Sequence, residues 1–202
     1  MTQPGNKPII LDVEVYRVAP AKDFRFIGRL SLDFAQTGDM GWGLRYERLT
    51  NPSELQRWLS LCPLQLSKIR VTSDDLRQAK ILRGAIWRTA EALLASTVPR
   101  AADVRIINRT ATQPNLVREL DLKAASMQWR RPTIEAALAT IAQDAVILFG
   151  DPRQRLRLRR CEHERCRVIF FDDSRPGLRR WCASNRCGDR MRAWTYRNRK
   201  KS

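Results

Sequence analysis

The sequence predicts an α+β protein: a helix-rich N-terminal domain with a few short strands, followed by a small C-terminal module of different construction. Three observations predict it. Apolar stripes at helical spacing run through residues 73–96 and 132–150. Stretches that alternate or are rich in β-branched residues are few and short. Four of the five cysteines lie between positions 161 and 187, in the most basic quarter of the chain. From Asp151 to Ser202 there are 17 Lys/Arg against 6 Asp/Glu, and the first 150 residues hold 21 against 15, within a net charge of +17. With 202 residues and 43% hydrophobic content the chain has room for one medium domain and a small one, which excludes global disorder.

Residues 1–7 read as a loose terminus. Ile9–Tyr16 alternates and is β-branched, so a strand is expected there. Phe24–Gly28 reads as a second short strand, running into Arg29–Thr37, where Leu30, Phe34 and Thr37 share a helical face. Gly38, Gly41 and Gly43 break that pattern and mark a loop. Asn51-Pro52-Ser53-Glu54 starts a helix, since Pro is favoured at the first helical position after its cap. Leu55, Trp58, Leu59 and Cys62 follow at helical spacing, and Pro63 closes the element. Ser73-Asp74-Asp75 caps the longest helix, with Leu76, Ala79, Leu82, Ile86, Ala90, Leu93 and Leu94 as its stripe to about Ser96. Ala101–Thr110 is expected to be helical on Val104 and Ile107. Between Leu116 and Trp129 the period moves toward two and predicts a strand pair. Pro132-Thr133-Ile134 opens a last helix with Ala137, Leu138, Ile141, Ala145 and Leu148 inward, ending near Gly150. The N-terminal domain is therefore placed at residues 8–150 and the C-terminal module at 151–202, with Gly150-Asp151-Pro152 as the boundary. In that module Arg155–Arg159 and Val168–Phe171 read as strands of a hairpin, and a basic helix runs from Gly188 through Arg199.

Cys161, Cys166, Cys182 and Cys187 form two C-x4-C pairs separated by fifteen residues. Paired cysteines on two turns suit one structural Zn²⁺, which takes four ligands tetrahedrally and prefers thiolates. A stretch this short buries little core, so a metal is expected to hold it together. His163, the sole histidine, forms an H-x2-C turn with Cys166 and is an alternative ligand to Cys161. No stretch resembles a signal peptide or a membrane span, so an intracellular, cytoplasmic protein with reduced thiols is expected, which favours metal over disulfides. Cys62 stands alone and reads as a small buried hydrophobe.

The charge excess points to an anionic partner. Arg175, Arg179 and Arg180 lie in the insert between the cysteine pairs. Arg190, Arg192, Arg197 and Arg199, then Lys200 and Lys201, lie on or after the terminal helix. On that helix 190 and 197 share a face, as do 192 and 199, with Tyr196 beside them. Met191 and Trp194 are expected to pack on the module. Arginine's planar fork suits phosphate and guanine, so these seven arginines are the candidate nucleic-acid contacts. Asp33 is the remaining polar candidate. If buried it needs Arg29 or a backbone cap as partner; a structural acceptor is the reading preferred over a contact in an effector pocket. Catalysis has no support: no nucleophile elbow, P-loop or zinc-protease motif occurs, and Asp74-Asp75 and Asp172-Asp173 read as helix-start and insert charge.

The C-terminal stretch, about 155–200, resembles the CGNR zinc finger. The resemblance rests on Cys161/Cys166, Phe171-Asp172-Asp173-Ser174-Arg175, Arg179-Arg180-Trp181-Cys182, Cys187-Gly188-Asp189-Arg190 and Tyr196-Arg197. Asp189 stands where the family has Asn, and a carboxylate there repels phosphate. The family pattern implies four cysteine ligands and a closed, structural zinc. Upstream, Ile27–Thr37 is similar to the Gly…Leu-Asp-Phe-x-Asn-Thr signature of the ABATE domain, with Gln36 in place of Asn. Proteins of this architecture are described as stress-induced bacterial transcription regulators. The resemblance implies a finger that binds duplex DNA and an N-terminal domain that senses an effector or mediates assembly. One small finger reads few bases, so specific binding calls for a homodimer. The alternatives are an RNA-binding finger, with Trp181, Trp194 and Tyr196 stacking on bases, or a protein-interaction module.

Overall fold

In a computed structural model, residues 24–38, 47–123, 125–164 and 166–199 are described. The strand expected at Ile9–Tyr16, the loop glycines Gly41 and Gly43, and Lys200 and Lys201 lie outside them.

The described chain runs α1 (Leu30–Ala35), α2 (Pro52–Leu61), α3 (Ser73–Leu94), α4 (Ala101–Ala111), β1 (Val117–Asp121), β2 (Ser126–Arg130), α5 (Ile134–Gly150), α6 (Pro152–Arg155), β3 (Leu158–Arg160), β4 (Ile169–Phe171) and α7 (Asp189–Arg199). Helices dominate, with two two-stranded antiparallel sheets, β1–β2 and β3–β4.

Local chemistry sets the helix starts. The Asn51 side chain accepts from Glu54 N (3.1 Å) with Pro52 at the first helical position. The long helix α3 is capped one residue earlier than Ser73. Asp75 N donates to Thr72 Oγ1 (3.2 Å), while Thr72 N donates to Asp75 Oδ2 (2.8 Å), a reciprocal capping box. Thr133 caps α5 by accepting from Ala136 N (3.1 Å).

The apolar stripes of α2, α3 and α5 meet around Trp58, which is fully buried against Phe34 (ring centroids 5.1 Å apart). Arg88 of α3 grips the buried carboxylate of Asp103 with Nη2 (2.6 Å) and Nε (3.0 Å), fastening α4 to α3. Arg83 makes a two-pronged pair with Glu47 (2.7 and 2.6 Å). Cys62 is buried and its Sγ donates to Leu59 O (3.5 Å); burial pushes its thiol up to about 12, so it is chemically inert.

Two expectations are corrected, and a third, the strand pair between Leu116 and Trp129, is met. Phe24–Gly28 is not a strand but irregular chain: it has no partner strand among the described residues, and Ile27 N donates to the Asp33 carboxylate (2.8 Å) instead. Gly28 takes φ +106°, which an L side chain rarely adopts. Residues 152–155 form the helical turn α6, because Asp151 accepts from Arg153 N (2.8 Å) ahead of Pro152 at the first helical position; the strand begins only at Leu158. The β1–β2 pair forms in register Arg118↔Trp129, but Leu120 and Met127 face solvent, and Trp129 is the residue that anchors it.

The C-terminal module docks on the helical domain. Leu158 and Ile169 of the β3–β4 hairpin are buried with Leu32, Ala90 and Leu148. Gln36 Nε2 donates to Ile169 O (3.5 Å), Arg160 pairs with Glu91 (Nη1–Oε1 3.0 Å), and the Arg29 guanidinium sits 5.7 Å from the Phe171 ring centroid. Among the described residues no helix is long and apolar enough to cross a membrane.

Candidate metal centre

The β3–β4 hairpin places the first cysteine pair. Cys161 N donates to Val168 O (2.9 Å), extending the ladder, and Cys166 N closes the turn on His163 O (2.8 Å). In the second pair Cys182 precedes, and Cys187 lies within, a π-helical turn, Ser184–Gly188, closed by Gly188 N to Ala183 O (3.1 Å) and leading directly into α7. All four Sγ atoms lie within 4.8 Å of one another, and all four residues are buried. Cys166–Cys182 and Cys182–Cys187 are 3.8 and 3.7 Å apart. A tetrahedral ion with Zn–S near 2.3 Å sets its sulfurs about 3.8 Å apart, so the cluster has the size of a ZnS4 core. A disulfide needs sulfurs at about 2.05 Å, and all the cysteines are free thiols. The cluster that could hold the ion is made of the four cysteines, and His163 is not among its members.

Four thiols this close do not all ionise without a cation. Hydrogen bonds from the Cys161 and Cys182 thiols hold Cys166 far below the ordinary thiol range, while hydrogen bonds to Cys161 and then Cys166 push Cys182 far up. Burial, then the Cys166 charge, push Cys187 up to about 12. A dication reverses this balance, so its binding releases protons. Four thiolates around Zn²⁺ leave a residual negative charge and no open coordination position, the mark of a structural site. N–H donors face that charge, among them Cys182 N to Cys161 Sγ (3.5 Å) and Arg25 Nη1 to Cys166 Sγ (3.8 Å). Val168 and Phe170, with Ile27, Trp181 and Ala183 packed against them, wall the cluster from water.

The insert is knotted on Asp172, which is fully buried. Its Oδ1 accepts from Ser174 N (3.1 Å) and Oγ (2.6 Å), and its Oδ2 accepts from Arg179 N (2.9 Å). Burial alone raises its carboxyl, but these donors and the Arg179 charge hold it below the ordinary range. The Asp-x-Ser spacing is an Asx-turn signal visible in the sequence. Arg25 carries no such signal.

The seven arginines divide. Arg179 turns inward: Nε donates to Trp181 O (3.0 Å), Nη1 to Asp173 (3.1 Å) and Nη2 to Cys182 O, with its guanidinium over Phe170 (4.9 Å). It is a clamp of the fold, which corrects its placement on the basic surface. Arg180 pairs with Glu162 (2.6 Å) and lies over Trp181 (5.0 Å), yet stays exposed. Arg192 donates to Ser184 O (3.2 Å) and to Asp189. Arg175, Arg190, Arg197 and Arg199 are exposed, with no carboxylate partner among the described residues. A groove of about 440 Å³ joins Arg180, Trp181, Met191, Arg192, Tyr196 and Arg199. Trp194 is 56% exposed and does not pack on the finger, contrary to expectation.

Asp33 is buried and caps the irregular chain through Ile27 N; burial raises its carboxyl well above the ordinary range, and Oδ2 has no partner among the described residues. Arg29, its expected partner, pairs with Asp144 (3.0 Å). A cavity in the helical domain is lined by Asp144 and not by Asp33.

Family models recover both parts. One described as "Putative stress-induced transcription regulator", the ABATE family, matches residues 28–152, and the CGNR zinc finger matches residues 157–200. Neither is an enzyme family. A search of curated proteins found no match. Since the first model spans more than half of the chain, and the second coincides with the four-sulfur cluster, this protein belongs to the ABATE family and carries a CGNR zinc finger holding one structural zinc.

Proposed function

We propose that this protein is a zinc-dependent DNA-binding transcription regulator in which the finger, residues 151–202, grips duplex DNA and the helical domain, residues 8–150, senses an effector or mediates assembly. The observation that carries the reading is the arginine surface set by the metal. The second cysteine pair leads straight into α7, so zinc fixes the helix that bears Arg190, Arg192, Arg197 and Arg199. Arg180 joins Arg192 and Arg199 in the groove beside Trp181 and Tyr196, and Arg175 projects from the insert. Phosphate contacts supply most of the affinity, which falls steeply with salt. Asp189 pairs with Arg192, so the carboxylate that replaces the family's Asn is neutralised within the helix rather than facing phosphate alone. A homodimer supplies the second half-site, and the cytoplasm is the place of action.

A second reading, single-stranded RNA, is favoured by the exposure of Trp194 and Tyr196 (56% and 62%), which suits base stacking. Selection from random duplex DNA with the zinc-loaded full chain separates the two. An enriched motif, palindromic for a dimer, is the expected result. Retention without enrichment, reversed by single-stranded RNA competitor, overturns the DNA reading in favour of the second.

A further inference from the structure

Where the root of the β1–β2 hairpin crosses α5 and the start of α1, the helical domain encloses a cavity of about 330 Å³. Leu30, Leu64, Leu116, Trp129 and Ile147 give it an apolar wall. The hairpin is fastened over it by Trp129 Nε1 donating to Leu64 O (2.6 Å) and Leu116 N donating to Thr140 Oγ1 (3.1 Å).

Most polar groups on the lining are engaged. Thr140 Oγ1 donates to Ala136 O (2.8 Å) and Gln143 Nε2 to Ala111 O (3.0 Å). Asp144 accepts from Ser31 N (2.9 Å), Ser31 Oγ (2.5 Å) and Arg29. Two groups remain. Asn115 Oδ1 is buried with no hydrogen-bond partner among the described residues, and an unmet buried acceptor calls for a donor. Arg118 lies across the strand pair from Trp129, its guanidinium 5.4 Å from the ring centroid, and has no carboxylate partner among the described residues. The lining therefore holds two guanidiniums against one carboxylate, a surplus of one positive charge.

We propose that this cavity is the effector site of the helical domain and that it binds a small organic monoanion with an apolar body and one hydrogen-bond donor. The volume sits at the lower end of small-molecule pockets, roughly 300–1,000 Å³. The apolar wall takes the body, Arg118 takes the anion, and Asn115 Oδ1 takes the donor. The proposal rests on the sensing role given above to the helical domain and names its ligand class. Arg29 provides the physical link to the finger, since it pairs with Asp144 on the cavity wall and lies over Phe171 of β4.

Calorimetric titration of the zinc-loaded full chain, with no nucleic acid present, tests it. Indole-3-acetate carries ring, carboxylate and N–H; indole-3-ethanol lacks the charge; 1-naphthylacetate lacks the donor. The expected result is one-to-one binding of indole-3-acetate, with each analogue about tenfold weaker or worse, the loss of one good polar contact. R118Q lowers affinity for indole-3-acetate to that of indole-3-ethanol, and N115L erases the preference over 1-naphthylacetate. Absence of indole-3-acetate binding, equal affinity for the three probes, or an R118Q affinity like the parent's overturns the proposal. Because no DNA enters the measurement, its failure leaves the DNA reading standing, and failure of that reading leaves this result standing.

Discussion

Stripping the zinc should release the whole C-terminal module, hairpin included, while the helical domain stays folded. The module closes around two apolar contacts. The first is the shell of the four sulfurs, which the metal itself organises. The second is the docking of Leu158 and Ile169 on Leu32, Ala90 and Leu148. Burying those two side chains contributes about 3–6 kcal/mol. Ordering the six residues of β3 and β4 costs about 6–12 kcal/mol. The half-exposed Arg160–Glu91 pair adds at most about 1 kcal/mol. Docking alone therefore falls short by a few kcal/mol, and a structural zinc, at about 10–16 kcal/mol in small finger peptides, covers the gap. The helical domain has its own core around Trp58, Phe34 and Ile86 and should keep it without the metal. Hydrogen exchange of the full chain before and after chelation reads this directly. Residues 158–199 should lose protection together while α3 and α5 keep theirs. The bared Leu32, Ala90 and Leu148 should bind a hydrophobic dye, and Cys187→Ser should reproduce both effects with zinc stoichiometry far below one. Protection that persists in β3 and β4 while 182–199 exchange freely would refute the docking arithmetic. Loss in α3 and α5 in step with the finger would show one cooperative unit instead.

Three further outcomes follow from single groups. Asp172→Asn puts an amide where the carboxylate accepts from Ser174 and Arg179, so the finger should lose about 1–3 kcal/mol in denaturant unfolding. Because the folded Asp172 carboxyl lies below its ordinary value, its contribution is present above the unfolded value near 3.9 and is lost as pH falls through the folded one; a variant with an unchanged acid transition contradicts this role. Asp33 has the opposite sign: its folded carboxyl is raised by burial, so its contribution is present below the unfolded value and lost as pH rises through the folded one. Asp33→Asn, which keeps an acceptor for Ile27 N, should flatten that fall in Tm as pH rises above the unfolded value near 3.9, and parallel curves for the two proteins would count against it. Replacing Arg197 and Arg199 together with Gln should reduce the salt slope of DNA binding by about 2 with zinc content unchanged; an unchanged slope removes both from the interface.

How much was legible in the sequence depended on how local the signal was. The helices α2, α3 and α5 could be read because caps and apolar stripes lie within a few residues of each other. The four ligands could be read for the same reason: C-x4-C is a turn-scale pattern. The coil at Phe24–Gly28 could not, because its apolar residues are buried by Trp58 and the cysteine shell, not by a strand partner. The inward Arg179 could not be told from the exposed arginines around it, since only the fold decides which one meets Asp173 and Phe170. Arg25 was invisible for the plainest reason, standing 141 positions from the Cys166 sulfur it faces.

The signature at α1 gains its meaning from the same non-local contacts. Every residue of this six-residue helix is buried. Leu30, Phe34 and Ala35 enter the core of the helical domain, while Leu32 turns to Leu158 and Ile169 of the finger. Gln36, where the family signature has Asn, uses its longer amide to reach both Leu32 O (3.0 Å) and Ile169 O (3.5 Å). Asp33 holds the chain that brings Ile27 to the zinc shell. A wholly buried helix shared by two cores serves their junction, and through Leu30 it also borders the cavity. Any event at the cavity that shifts Asp144 acts on Arg29 and Ser31, the residues on either side of Leu30, and so acts on the helix to which the zinc hairpin is docked.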